Sequence, residues 1–408
     1  MKVPPKSIKY KHYNIELAYI LCVISAFAML FFANAEAQET PDGSVVELGI
    51  GKLFYIPCMF AFILSLFLNP KADTAESRMV EETNPIIYKM ILICIISVLF
   101  NLPQNFNTMA MNAIKFIAAI MCFKDLRIIN PRLFILILTA ISPAIIIPHY
   151  FLTNPFAYGA IRYGGFYGDP NFLAIALNFL ITMCYLGYKA TGRLFIKAAS
   201  VVSIIGAIPL ILLGVSRAGI IGMCVVLFFI LRDLRRVNSK MLTLILILLF
   251  FSAGRMLYDL ADAFDYVRLR FSNEGDNDSE GAYARVEVMR SVINVLRNRP
   301  EHILFGIGPG NTMERIQEYR MFGYTFTGVV HNTFFLVLYE MGIFCMLLFI
   351  KLYYVALRNL LRDKSFLLLG LLLSVAFCLA TLPGLTFMPA WILLFFLMNP
   401  RLFTQING

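Results

Sequence analysis

The chain has 408 residues, of which 59% are hydrophobic and only 15% charged, with a formal net charge of +10. That balance leaves no room for a soluble domain of ordinary composition and places the chain among polytopic membrane proteins. The positive surplus does not indicate nucleic acid, because most of it sits in short loops between apolar runs, where it sets orientation.

The basic N-terminus MKVPPKSIKYKHY leads into an apolar run over residues 14–34. That run is too long for a signal-peptide core and lacks a clear small-residue cleavage site, so it reads as a retained first helix. Further apolar runs predict 12 spans in all: 14–34, 49–68, 87–103, 109–123, 132–150, 170–188, 198–215, 217–231, 241–257, 331–350, 366–382 and 384–400. The runs 109–123 and 217–231 are short for a crossing. With a cytoplasmic N-terminus, Lys124, Arg127, Arg132, Lys189, Arg193, Lys197, Arg232, Arg235, Arg236, Lys240, Lys351, Arg358, Arg362 and Lys364 all fall inside. Arg162 is the clearest basic residue in a short outer loop. Both termini are then cytoplasmic. The expected fold is an all-α polytopic membrane protein, residues 1–408 as one membrane domain, with one large extracytoplasmic loop at 258–330.

Within that loop, SNEGDNDSEG at 272–281 reads as turn-rich. Residues 284–299, ARVEVMRSVINVLRNR, predict an amphipathic basic helix with an apolar stripe of Val286, Met289, Ile293 and Leu296. Arg290 lies off that stripe. Arg285 borders it and reads either as a snorkelling or capping arginine or as an inward-facing anion ligand. The glycine-rich LFGIGPGN at 304–311 has no following GKS or GKT, so a nucleotide P-loop is excluded, and a tight turn back toward the membrane is expected.

Three outward-facing helix starts carry polar residues. Asp169-Pro170-Asn171 has the N-cap and first-turn chemistry of a helix start. Ser216-Arg217 lies between two apolar runs, and His331-Asn332 opens the tenth. A helix N-terminus favours anions, and its field disfavours an imidazolium, which leaves His331 able to accept a proton. The plainer alternative is that His331 only caps its helix. Glu340, nine residues further on, is costly near mid-membrane and reads as a structural group, with Lys115 a conceivable partner. His12, His149 and His302 make weaker cases. All eight cysteines lie in apolar runs, so neither a disulfide framework nor a zinc site is indicated.

The ordered segments RYGGFYGDPNFLA, GVSRAGIIGM, ARVEVMRSVINVLRNRP with FGIGPGN, and HNTFFLVLYEMGIFCMLL together resemble the bacterial O-antigen ligase and O-antigen polymerase superfamily over roughly residues 160–350. The resemblance implies a membrane glycosyltransferase of the C type. Its donor is a glycan on undecaprenyl diphosphate, and it needs neither metal nor other cofactor. It implies that Arg217 and Arg285 bind the diphosphate and that His331 is the base for the acceptor hydroxyl. Arg162, Asn171, Asn332 and Arg290 are possible supporting residues. One departure is Met289, with no tryptophan nearby, where many relatives carry an aromatic residue. The expected function is a surface-polysaccharide polymerase at the outer face of the bacterial inner membrane, with a second lipid-linked repeat as acceptor. The alternatives are a ligase with lipid A-core as acceptor and, from another class, a lipid-linked oligosaccharide flippase.

Overall fold

The computed structural model describes residues 19–26, 38–39, 45–46, 74–102, 105–152, 163–167, 169–237, 288–312 and 330–402. The expected spans at 49–68 and 241–257, most of 14–34, most of the 258–330 loop, and the residues Arg162 and Arg285 lie outside them.

The described chain is helical apart from a two-stranded antiparallel ladder, β1 (Gln38–Glu39) with β2 (Val45–Val46). After α1 (19–26) come α2 (Thr74–Phe100), α3 (Phe106–Phe123), α4 (Pro131–Phe151), α5 (Pro170–Ala190), α6 (Leu194–Leu213) and α7 (Arg217–Val237). Then follow α8 (288–298), α9 (Glu301–Phe305), α10 (Thr333–Arg362), α11 (Phe366–Leu379) and α12 (Met388–Leu397). Among the described residues, six helices are long and apolar enough to cross a membrane, within α2, α3 with its 3₁₀ extension, α4, α5, α6 and α10.

Three expectations need correction. The third span was read as beginning at 87, but α2 starts at Thr74, because the polar stretch before it contains good helix formers and no breaker before Pro85. The last span was read as 384–400. Its helix, α12, has ten residues and at about 1.5 Å each is too short to cross alone; every one of those residues is buried. The run at 217–231 does form a helix, but charges at both ends leave only residues 218–231 uninterrupted, and α7 is not among the six.

Burial follows the logic of a bundle in lipid. On α2, Tyr88, Leu92, Ile95, Ile96 and Leu99 are exposed, while Ile87, Met90, Cys94, Ser97 and Val98 are buried. Apolar residues thus cover both faces, and the small Cys94 and Ser97 lie on the inner one. Helix α5 is the central element, with nearly its whole length buried. Helix α7 packs on it through Gly219, where a Cβ would collide with Ala174, and on α11 through Gly222, where a Cβ would collide with Ser374. Glycine there lets the backbones approach closely.

One end of the bundle is tied by charge. Lys189 Nζ and Tyr185 Oη each lie 2.7 Å from Asp233 Oδ2, and the buried Arg127 guanidinium donates to Lys124 O, Thr83 Oγ1 and Asn84 Oδ1. Asn399 Nδ2 donates to the carbonyls of Leu126 (3.0 Å) and Ile129 (2.9 Å), fixing the end of α12 to the same layer.

Candidate functional site

At the other end, three helix starts come together. Asp169 caps α5, its Oδ1 accepting from the N–H of Asn171 (2.6 Å) and of Phe172 (3.4 Å). Ser216 caps α7 by accepting the Gly219 N–H at 3.0 Å. The Ser216 hydroxyl also donates to Asn171 Oδ1, which joins the two helix starts through a part-buried side-chain bond. The turn between α6 and α7 is only three residues, and it places Val215 at φ 44°, a strained position for a β-branched residue. Arg217, the next residue but one, is half-buried with its Nε enclosed.

The start of α10 reaches the same end. Asn332 is its N-cap, accepting from the Phe335 N–H at 3.0 Å, and His331 precedes it, half-buried. Thr333 is fully buried. Its hydroxyl donates to Leu382 O (2.6 Å) and accepts the Gly384 N–H (2.8 Å), binding α10 to the loop between α11 and α12. That loop touches α5: Phe387 stacks at a tilt against Phe172, centroids 4.5 Å apart. Cys378 Sγ at the end of α11 donates to Ala218 O in the first turn of α7 at 3.6 Å. A short path of contacts therefore runs from Ser216, beside Arg217, through Asn171, Phe172 and Phe387 to Thr333, near His331.

The stretch before α5 lies across the same end. Tyr163 donates its N–H to Leu213 O at 3.2 Å. Its hydroxyl is 2.8 Å from Nδ1 of His149, which is wholly buried at the end of α4 under the ring of Phe166. Gly165 sits at φ 55°, and a Cβ there would lie 2.6 Å from His149 Nδ1. From sequence alone His149 carries little weight, because it ends an apolar run. The aromatic and glycine-rich RYGGFYG opposite a helix-ending histidine was the available signal.

Arg290 lies on α8, exposed. The buried face of α8 is Val288, Val292, Val295 and Leu296, whereas Ile293 is 51% exposed. Of the expected stripe Val286, Met289, Ile293 and Leu296, Leu296 is buried, Met289 half-buried and Ile293 exposed, while Val286 lies outside the described residues; three valines at steps of four and three take the bundle face instead of Ile293.

The glycine-rich segment turns back into the bundle and meets α10 nearer its start than its end, where that helix breaks at Gly342 (φ 82°, ψ 174°). Ile307 and Gly308 donate their N–H groups to the carbonyls of Tyr339 (2.9 Å) and Glu340 (3.1 Å), which the break releases. Irregular backbone at this depth persists because protein meets its polar groups. Glu340, 6% exposed, accepts from Thr312 Oγ1 at 2.7 Å and from the Gly310 N–H.

Chemically, three helix N-termini and the Arg217 guanidinium give one end of the bundle a positive bias suited to an anion. Asp169 offsets part of it, its carboxylate spent on capping. Among the described residues no group of three or more His, Cys, Asp or Glu is placed to hold a metal ion.

This arrangement lies mostly within one recognisable stretch. Residues 201–350 match the family model of O-antigen ligase. The matched stretch contains Ser216, Arg217, Arg290, His331, Asn332 and Glu340. The resemblance to the O-antigen ligase and polymerase superfamily is thus borne out there, and the chain is a multi-pass membrane protein of the polysaccharide-biosynthesis kind. No curated protein matches the chain.

Proposed function

We propose that this O-antigen ligase-like protein is a surface-polysaccharide polymerase of the bacterial inner membrane, with its site on the extracytoplasmic face. The donor is a glycan carried on undecaprenyl diphosphate, and the acceptor is a hydroxyl of a second lipid-linked repeat. The acceptor oxygen attacks the anomeric carbon, and the bond from that carbon to the diphosphate oxygen breaks. The electron pair leaves with undecaprenyl diphosphate, and His331 takes the hydroxyl proton. Arg217 and Arg285 carry the charge that grows on the leaving group, the role a metal would otherwise fill.

The observation that carries this reading is the shared position of the α5, α7 and α10 starts. It sets Arg217 and His331 at one end of the bundle, although 331 − 217 = 114 positions separate them. The positive-inside pattern of the loops supports an extracytoplasmic position for that end. Asn171 supports the reading through Ser216, and Asn332 supports it by capping the helix that follows His331. Arg162, Arg285 and Arg290 keep their proposed supporting or diphosphate-binding roles on the resemblance.

The description of the matched family favours a second reading, an O-antigen ligase that uses lipid A-core as acceptor. One assay separates them. Purified protein in lipid vesicles receives the glycan–undecaprenyl-diphosphate donor, alone or with lipid A-core. Lengthened lipid-linked glycan from donor alone is the expected result. Product only when lipid A-core is added selects the ligase, and no product in either arm, with a donor that does bind, overturns transfer altogether.

A further inference from the structure

The transfer mechanism leaves one buried charge unused. Glu340 lies seven residues beyond Thr333, about 10 Å deeper along α10, in the turn just before the Gly342 break. Its surroundings are arranged around the segment that leads in from α8. Gly306 (φ 71°) and Gly342 lie backbone against backbone: a Cβ on Gly306 would collide with Glu340 O, and one on Gly342 with Leu304 O. Ser97 Oγ donates to Glu340 O at 2.8 Å, and Asn101 Nδ2 to Gly306 O at 3.1 Å, so α2 grips both sides of the contact. Beyond the turn, Asn105 Nδ2 reaches Asn311 Oδ1 at 3.2 Å.

The backbone contacts explain how the segment fits, but not why a carboxylate is there. Its acceptor positions are met by Thr312 and the Gly310 N–H, both at the far end of the glycine-rich turn. Among the described residues, no Lys, Arg or His lies within ion-pair distance of it. A carboxylate that receives an O–H and an N–H from one short turn acts as a latch on that turn. Hydrogen bonds to charged groups are the strong ones, and a loosened latch in a low-dielectric interior leaves a costly charge.

The turn is continuous with α9 and α8. Residues 288–312 are described as one unbroken stretch, with Val288, Val292, Val295 and Leu296 packed inward. Arg285 stands three positions before Val288 in sequence and Arg290 two after it. Helix α10, on the other side of the latch, begins two residues after His331.

The geometry points to Glu340 as a positioning residue for the transfer proposed above, on which this role rests: the Glu340–Thr312 latch at the Gly342 break holds α8, which carries Arg290, in register with the start of α10 and His331. Glu340 would touch neither substrate nor proton in transit. It would set the fraction of molecules in which α8 and the base are in register. Lowering that fraction raises the apparent dissociation constant for the donor in proportion, and saturating donor recovers it.

The test measures hydrogen–deuterium exchange over residues 288–312 and transfer kinetics on the full-length protein in vesicles. It uses Glu340→Ala, Glu340→Gln, Thr312→Val and, as control, His331→Ala. Exchange protection in 288–312 is expected to fall about 10- to 100-fold in Glu340→Ala and Thr312→Val. Donor KM is expected to rise in both while kcat stays within about twofold. Glu340→Gln keeps an oxygen that accepts from Thr312 and Gly310, and is expected to restore most of the protection and KM. If Glu340→Ala does not yield folded protein, Thr312→Val and Glu340→Gln carry the test. Unchanged protection in Thr312→Val overturns the latch. Lost protection with an unchanged donor KM, or a kcat loss like that of His331→Ala, overturns the positioning role. Wild-type protein that binds donor yet transfers nothing overturns the transfer reading, and the exchange arm still decides whether the latch exists.

Discussion

Replacing Ser216 by alanine removes one hydroxyl and two interactions. The cap on the Gly219 N–H is lost, which costs about 1 kcal/mol within a range of roughly 0.5–2. The bond to Asn171 is lost too; Asn171 is half-buried and its Oδ1 can turn to water, so this adds about 0.5–1.5 kcal/mol. Ser216→Ala is therefore expected to destabilise the α7 start by about 1–3 kcal/mol. Asn171→Ala removes only the shared bond. Because Arg217 follows Ser216 directly, a shifted α7 start moves its guanidinium, and a misplacement of about 1 Å can cost about 100-fold in rate. The assay is a double-mutant cycle over wild type, Ser216→Ala, Asn171→Ala and the double variant, read in kcat/KM for transfer and in apparent Tm. A coupling of about 1 kcal/mol is expected, since the residues share one bond. Additive effects, or a Ser216→Ala protein with the wild-type Tm, would show that the bond does not hold the two helix starts together.

Other perturbations reach the same end of the bundle. Arg217→Lys keeps the charge but gives up the planar fork that grips phosphate at two points, so most transfer is expected to vanish; near-normal turnover by purified protein would remove Arg217 from the diphosphate site. His331→Ala is expected to slow transfer by about 10²–10⁴-fold with donor binding retained, measured by filter binding and product formation in parallel. Wild-type transfer should decline as pH falls through the imidazole range, since a protonated base cannot accept, and EDTA should leave the rate unchanged; loss with EDTA and recovery with a divalent ion would overturn the metal-independent scheme. Gly342→Ala puts a Cβ against Leu304 O at φ 82°, and a fall in thermal stability at least as large as that of Ser216→Ala is expected.

The class of the fold was legible because hydropathy and loop charge act locally and do not depend on tertiary detail. The starts of α5, α7 and α10 were legible for the same reason: Asp169-Pro170, Ser216 and Asn332 are capping residues followed by apolar runs. What the residues could not reveal is pairing across the bundle. Nothing in the sequence says that Ser216 reaches Asn171 or that Thr333 reaches Leu382, 49 positions away. The phase of α8 was misjudged because ARVEVMRSVINVL carries two overlapping apolar stripes, and only the surface it meets selects between them. The turn of the glycine-rich segment back toward the membrane was legible, but the break at Gly342 that receives it was not, because hydropathy reads Gly342 as part of an uninterrupted span.

Helix α7 has a geometric consequence for the carrier lipid. Its uninterrupted apolar stretch, residues 218–231, is about 21 Å long at 1.5 Å per residue, while hydrocarbon is about 30 Å thick. With Arg232 over the ring of Phe366 and Asp233 bridged to Lys189 placed at one membrane surface, an upright α7 would leave Arg217 several ångströms short of the other. The proposed undecaprenyl-diphosphate donor would then have to sink its phosphates below the level of neighbouring headgroups to meet Arg217. Its isoprenoid chain would leave sideways into the acyl layer, and its sugars alone would stand in the aqueous space. On that reading the bilayer itself would take part in substrate selection, since short soluble diphospho-sugars have no tail to draw them down to that depth.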